Sequence, residues 1–200
     1  MLFKMEKDYI YATIHHDSDE RKLYDKKIVS IDFLKKLKNK KIIFTKGVFD
    51  IVHSGHLRLF GYCKKLKELN KNSLIVVGVS KDSIVKKTKG NLRPINPELE
   101  RARLISSIDY IDLVVLFNER YPKNIIKNTK PTYYIKGQDT ANIKNEKGRR
   151  VKIYSSEKNP EVKLLNKYGG KMIVLCDDSS VSTTKIIKRI LRRFRNKYVK

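Results

Sequence analysis

The chain has 200 residues, with 46 Lys and Arg against 21 Asp and Glu, for a formal net charge of +25. With 40% hydrophobic residues it is long enough to bury the core of one domain, which excludes a disordered chain, and no apolar run approaches the roughly 18 residues of a membrane span. Its two cysteines, Cys63 and Cys176, stand far apart without a C-x-x-C partner, which excludes a disulfide framework and predicts free thiols in a reducing compartment.

The N-terminus lacks the apolar core of a signal peptide, so the expected location is cytoplasmic. The lysines are scattered through nearly every segment instead of forming one stripe. The basic surface therefore reads as solvated, and nucleic acid is not the expected partner. A positive field still draws in nucleotides and other phosphorylated substrates.

Residues 1–26 mix charge and aromatics without a period and read as an N-terminal arm; 27–200 reads as a single domain. Ile28–Leu37 predicts a short extended start and then a helix capped near Ser30 or Asp32. Lys41–Thr45 is an apolar run of strand length, and Leu57–Leu69 has apolar residues at helical spacing. The stretch between them is a strand-to-helix turn. Such a turn presents the unpaired N–H groups and the positive dipole end of a helix to whatever lies beyond the strand. His53 and His56, three residues apart, can point to one side of that helical start. Gly47 and Gly55 let a ligand approach the backbone closely.

Ser73–Ser80 is continuously apolar, as expected of a strand covered on both faces. After Ser83–Gly90, Pro94 and Pro97 forbid a long helix, and Pro97 suits the first position of the next one, Glu98–Ile108, which carries Arg101 and Arg103. Ile111–Phe117 predicts a third strand and Tyr121–Asn128 a short helix. Thr132–Lys136 predicts a fourth strand running into Gly137-Gln-Asp139. Residues 140–159 are polar and charged and read as a surface loop or flap inserted in the domain. A helix over about Pro160–Tyr168 stops at Gly169-Gly170. Lys171–Leu175 is the fifth strand, and the hydroxyl-rich run Ser179–Thr184 suits the cap of a last helix, Lys185–Phe194.

This alternation gives an α/β fold, an open five-stranded parallel sheet with helices on both faces. Ligands of such sheets bind beyond the carboxyl ends of the strands, where strand order reverses. The turns Lys46–His56, Ser80–Gly90, Gly137–Asp139 and Ser179–Thr184 all fall at those ends. Helix-start N–H groups, two imidazoles, lysines, arginines and hydroxyls together suit a polyphosphate. Neither a G-x-x-x-x-G-K-[ST] loop, a G-x-G-x-x-G turn, a kinase catalytic loop nor a G-x-S-x-G elbow occurs. Zinc on His53 and His56 lacks a nearby Cys or Glu to complete the set.

Gly47-Val-Phe-Asp-Ile-Val-His-Ser-Gly-His56 resembles the G-x-F-D-x-x-H-x-G-H signature of the nucleotidyltransferase superfamily that includes the cytidylyltransferases and heptose-phosphate adenylyltransferases. Arg93-Pro-Ile-Asn-Pro-Glu-Leu-Glu-Arg101, Tyr134-Ile-Lys-Gly-Gln-Asp139, Tyr168-Gly-Gly170 and Ser182-Thr-Thr-Lys-Ile-Ile187 are similar, in the same order, to segments of the adenylyltransferase domain of bacterial ADP-heptose synthases. The resemblance runs from about Lys27 to the C-terminus and implies a Rossmann-like fold.

The resemblance implies transfer of a nucleotidyl group from a nucleoside triphosphate, ATP before CTP, to a small phosphorylated acceptor such as a sugar phosphate. Pyrophosphate is released without a covalent enzyme intermediate, and Mg2+ accompanies the triphosphate. His53 and His56 would hydrogen-bond the phosphates, Lys86 or Lys89 would reach them, and Arg101 would meet the β- or γ-phosphate. Thr45, Lys46, Gly47, Val48, Phe49, Gly55, Lys136, Gly137, Asp139, Ser182, Thr183 and Thr184 would bind the nucleotide. Asp50 and Arg93 would serve the acceptor, Asp50 being equally readable as a support of its turn or a cap on the following one. A homodimer is also implied.

Lys46 and Val48 stand where the heptose enzymes commonly have Asn and Cys, a change that bears on the nucleotide pocket. Asp178-Ser-Ser-Val181 replaces the cytidylyltransferases' Arg-Thr-Glu-Gly, which weighs against CTP. Two other readings compete: a CTP-dependent enzyme acting on glycerol 3-phosphate or a phospho-alcohol, and a basic nucleic-acid-binding protein on the same fold.

Overall fold

A computed structural model describes residues 3–6, 9–12, 25–37, 39–137, 151–175 and 181–198. Its first elements, β1 (Phe3–Glu6) and β2 (Tyr9–Ala12), pair antiparallel with each other. The main sheet has seven strands in the order β3 (Ile28–Val29), β6 (Leu113–Phe117), β5 (Ser73–Ser80), β4 (Lys41–Gly47), β7 (Tyr133–Gly137), β9 (Lys171–Leu175) and β8 (Val151–Tyr154). The five expected strands form its parallel centre.

Two edge strands extend that centre. β3 is only two residues long and pairs parallel with β6. β8 pairs antiparallel with β9 and arises inside the stretch read as a surface loop. The alternation Val151-Lys-Ile-Tyr154 is a strand pattern too short to stand out from its charged surroundings. Ahead of β4, the expected helix is only a single 3-10 turn, Phe33–Lys36, closed by the Leu37 N–H on the Leu34 carbonyl.

The chain runs outward from β4 through α1 (Ser54–Leu69) to β5, then through α2 (Asp82–Lys89) and α3 (Glu98–Ser106) to β6. It returns by α4 (Lys123–Thr129) to β7, on the other side of β4. Strand order thus reverses between β4 and β7, which opens a crevice at their carboxyl ends. α5 (Pro160–Asn166) precedes β9, and α6 (Thr183–Tyr198) follows it.

Alternation along the strands divides the core in two. Ile43, Ile75, Val77 and Ile135 pack against Leu59, Phe60 and Cys63 of α1 and Ala102 and Ile105 of α3. Phe44, Val76, Phe117 and Tyr134 face the other way, against Ile125 and Ile126 of α4 and Val162 and Leu165 of α5. Strands buried on both sides explain the unbroken apolar runs. The Cys63 thiol is free, fully buried and pushed by that burial to a pKa of about 12, so it is inert at neutral pH. Cys176 lies outside the described residues. None of the helices among the described residues is long and apolar enough to cross a membrane.

Candidate active site

The site is built from the turn that joins β4 to α1. Its tightest point is Gly47, where a Cβ would stand 2.7 Å from the ring of Phe49. Phe49 takes the left-handed conformation (φ 53°), which folds its ring back over the strand end. From there the ring meets His56 edge-on, with centroids 5.1 Å apart, and Phe60 at 5.2 Å. The turn's conformation therefore sets the position of an imidazole.

His53 is the N-cap of α1 and His56 its third residue. The His53 Nδ1 accepts the Gly55 N–H at 3.2 Å, and the His56 Nδ1 accepts the His53 N–H at 3.4 Å. The two rings stack with centroids 3.8 Å apart and planes 25° from parallel. Each Nδ1 acts as an acceptor, so each neutral ring carries its proton on Nε2. Burial, the neighbouring His53 and the charge of Lys89 pull the His56 pKa down to about 4. At neutral pH His56 is thus an uncharged N–H donor at a helix N-terminus, a surface suited to phosphate oxygens.

Asp50, buried below the turn, accepts the backbone N–H groups of Ile95 at 2.8 Å and Asn96 at 2.9 Å, and the Arg93 Nε at 2.7 Å. Burial pushes its carboxyl up, but the Asn96 and Ile95 N–H groups and the Arg93 guanidinium outweigh it and hold the pKa below the ordinary value. Asp50 thus organises the 93–96 loop and has no side-chain exposure with which to meet an acceptor. Arg93 keeps 13% of its side chain exposed beside it.

Arg101 departs from the expectation that it meets a phosphate. It is fully buried, and its guanidinium donates to the carbonyls of Asn96, Val48 and Ser80 and to the Asp82 carboxylate. It therefore ties together the turns after β4 and β5 from below. A burial of this kind is invisible to helical periodicity, because Arg101 stands among the charged residues of α3's first turns. Lys86 and Lys89 are exposed on α2, and of the two only Lys89 is close enough to bias His56.

Thr45 is buried, with an Oγ1 that finds no hydrogen-bond partner among the described residues. Lys46 and Lys136 point to the sheet face opposite α1. The Lys136 Nζ lies 2.6 Å from Glu161 Oε2, and the Lys46 Nζ lies 3.6 Å from Glu161 Oε1 while donating to the Arg120 carbonyl. Desolvation lowers the Lys46 pKa, with Glu161 opposing and Lys136 adding to the shift. Tyr134 donates its hydroxyl to Glu161 Oε1 at 3.0 Å, and burial beside that carboxylate raises the Tyr134 pKa. Sequence reasoning misses Glu161. The available signal is its register: positions 161, 162 and 165 form the inward face of α5.

At the start of α6 the Ser182 Oγ accepts the Lys185 N–H, and the Thr183 hydroxyl donates to the Ile51 carbonyl at 3.5 Å. This brings a second helix N-terminus beside the histidine turn; Thr184 is exposed there. Val48 and Gly137 sit at the rim, each partly exposed, as is Gly55 in the first turn of α1, and Asp139 lies outside the described residues. Among the described residues no three His, Cys, Asp or Glu side chains gather as a metal cage.

A model of the cytidylyltransferase-like family matches residues 44–189. The bifunctional protein HldE of Campylobacter fetus subsp. fetus (strain 82-40) is 33% identical over 185 residues, covering 92% of this chain and 35% of that protein. HldE of a Nitratiruptor species is 39% identical over 163 residues, covering 82% and 30%. The chain thus spans about a third of the length of these relatives. Among solved structures, the lipopolysaccharide core biosynthesis protein of Thermoplasma volcanium GSS1 is similar with a TM-score of 0.51 and 25% identity, over 70% of this chain and 98% of that one.

Proposed function

We propose, from the premise that this chain belongs to the cytidylyltransferase-like family of nucleotidyltransferases, that it transfers the adenylyl group of ATP to a sugar phosphate such as heptose 1-phosphate. The observation that carries this reading is the stacked His53–His56 pair, with both Nδ1 atoms held by backbone N–H groups at the start of α1. An acceptor phosphate oxygen forms a bond to the α-phosphorus as the bond from that phosphorus to the bridging oxygen breaks. Pyrophosphate leaves with the electron pair. The two Nε2–H groups donate to the phosphate oxygens on which charge grows, and no side chain becomes covalently attached.

Mg2+ belongs to this reading as part of the substrate, arriving on the triphosphate and neutralising its charge. Ser182, Thr183 and Thr184 offer N–H and hydroxyl groups at the second helix start, and Arg93, held by Asp50, lies on the acceptor side. A sugar phosphate as acceptor is supported by the likeness to the HldE proteins and by the segments that resemble the adenylyltransferase domain of ADP-heptose synthases.

The test is pyrophosphate release with ATP or CTP and Mg2+, against sugar 1-phosphates, glycerol 3-phosphate and phosphocholine, with His56→Ala as control. Release that needs ATP and a sugar phosphate and disappears in the variant is the expected result. Release with CTP and glycerol 3-phosphate would replace donor and acceptor but keep the chemistry. Neither turnover nor nucleotide binding would end the transferase reading.

A further inference from the structure

The β4–β7 ladder runs through Ile43↔Tyr133, Phe44↔Tyr134 and Thr45↔Ile135 and ends there. The next residues in register are Lys46 and Lys136, two like charges at the mouth of the crevice where strand order reverses. Each immediately precedes the glycine, Gly47 or Gly137, that ends its strand. Beyond the last backbone pair, the strand ends are joined by a carboxylate. Glu161 takes Lys136 on Oε2 at 2.6 Å and faces Lys46 with Oε1 at 3.6 Å.

The bridge is buried and firmly held. Glu161 has no exposed side-chain surface, Lys136 has 6% and Lys46 has 17%. Asn159 caps α5 by accepting the Glu161 N–H at 2.8 Å, and Tyr134 supplies a further donor to the carboxylate. Lys46 is also enclosed by the rings of Phe117 and Tyr121, at 5.7 and 6.0 Å. Two ammonium groups on one carboxylate leave a surplus positive charge beneath the crevice, away from water, where it acts on an anion more strongly than a surface lysine does.

We propose that Glu161 is a positioning residue for nucleotide binding: through Lys46 and Lys136 it fixes the spacing of the strand ends at Gly47 and Gly137. The triphosphate lies in the crevice between those strand ends, an assignment that rests on the transferase reading above. The charged bridge replaces the backbone ladder where the strands must part to admit a ligand. Its geometry, and not merely its contribution to stability, sets the affinity for the nucleotide.

The test compares wild type, Glu161→Gln and the triple variant Lys46→Met/Lys136→Met/Glu161→Met for thermal midpoint, for Kd of Mg-ATP and Mg-CTP, and for KM against kcat. Removing one partner of a buried ion cluster destabilises a fold, whereas replacing the whole cluster with apolar side chains of similar volume is often neutral. The triple variant is therefore expected to keep the wild-type midpoint, yet to bind the nucleotide about tenfold more weakly, with KM rising in step. Glu161→Gln should weaken binding as well, with a lowered midpoint.

A triple variant with wild-type Kd and KM would overturn the inference, leaving the cluster as a stabiliser of the fold. That result is distinct from failure of the transferase reading, in which the wild type itself neither binds a nucleotide nor releases pyrophosphate.

Discussion

Asp50 and Asn96 hold each other at two points: the Asp50 carboxylate accepts the Asn96 backbone N–H at 2.9 Å, and the Asn96 side-chain amide donates to the Asp50 carbonyl. Arg101 continues the connection by donating from Nε to the Asn96 carbonyl and from Nη1 to the Val48 carbonyl. The turn that carries the histidines and the loop that carries Arg93 are thus tied into one unit. A buried carboxylate and a buried arginine hold the turn and the loop together from beneath.

Asp50→Asn keeps the shape of that side chain but removes its charge toward Arg93 and weakens its hold on two N–H groups. A loss of about 3 kcal/mol in unfolding free energy is expected, as for a buried charge-assisted network broken at one partner. Because the folded Asp50 pKa lies below its ordinary value of 3.8, its contribution is present above that pH and fades as the pH falls through the lower folded value. Urea unfolding at pH 7 and pH 3 should therefore show the gap between wild type and variant narrowing in acid. A gap that is constant with pH would assign the loss to shape instead of charge.

Gly47→Ala tests the turn from above. The added Cβ would meet the Phe49 ring at 2.7 Å, and that ring is edge-on to His56. Phe49 cannot relax freely, since its backbone already occupies the left-handed region. Displacement of His56 by about 1 Å is enough to cost roughly 100-fold in rate. The expected result is a fall in kcat/KM of that order with an unchanged far-UV spectrum. Near-wild-type turnover would mean that the ring yields without moving the imidazole.

Much of this arrangement is legible in the sequence. Unbroken apolar runs mark the five central strands, because strands covered on both faces need no polar alternation, and the strand-turn-helix context places His53 and His56 at a helix start. β8 escapes because four alternating residues beside charged neighbours carry little signal. Arg101 and Glu161 are harder for a common reason. Burial of a charged side chain depends on carbonyls and countercharges from other elements, Val48 and Ser80 for one and Lys46 and Lys136 for the other. No local pattern records those partners.

His56 makes the protein sensitive to mild acid. Its folded pKa is about 4, against an ordinary value of 6.5. Between those values the unfolded chain takes up a proton that the folded chain refuses, so stability falls as the pH drops from 6.5 toward 4 and is unaffected above 6.5. The full effect is about 3 kcal/mol at most. Urea midpoints at pH 7 and about 4.5 should differ less in His56→Gln than in wild type, a window that lies above the Asp50 transition. Equal differences in the two proteins would place the acid sensitivity elsewhere.

Arg101→Lys separates a buried tie from a phosphate ligand. Lysine keeps the charge but cannot reproduce a planar fork that donates to Asn96, Val48, Ser80 and Asp82 together. If the guanidinium works as the structure places it, the thermal midpoint falls, with a stability loss of about 3 to 5 kcal/mol for a broken buried network. Below the midpoint, the folded fraction should keep a KM for the nucleotide within about threefold of wild type. An arginine that met the β- or γ-phosphate would behave in the opposite way: KM would rise steeply while the midpoint stayed in place. Measuring both on one preparation decides between them, because the first outcome leaves phosphate recognition to the two imidazoles and the helix N-termini, and the second would require Arg101 to leave its buried position when the nucleotide binds.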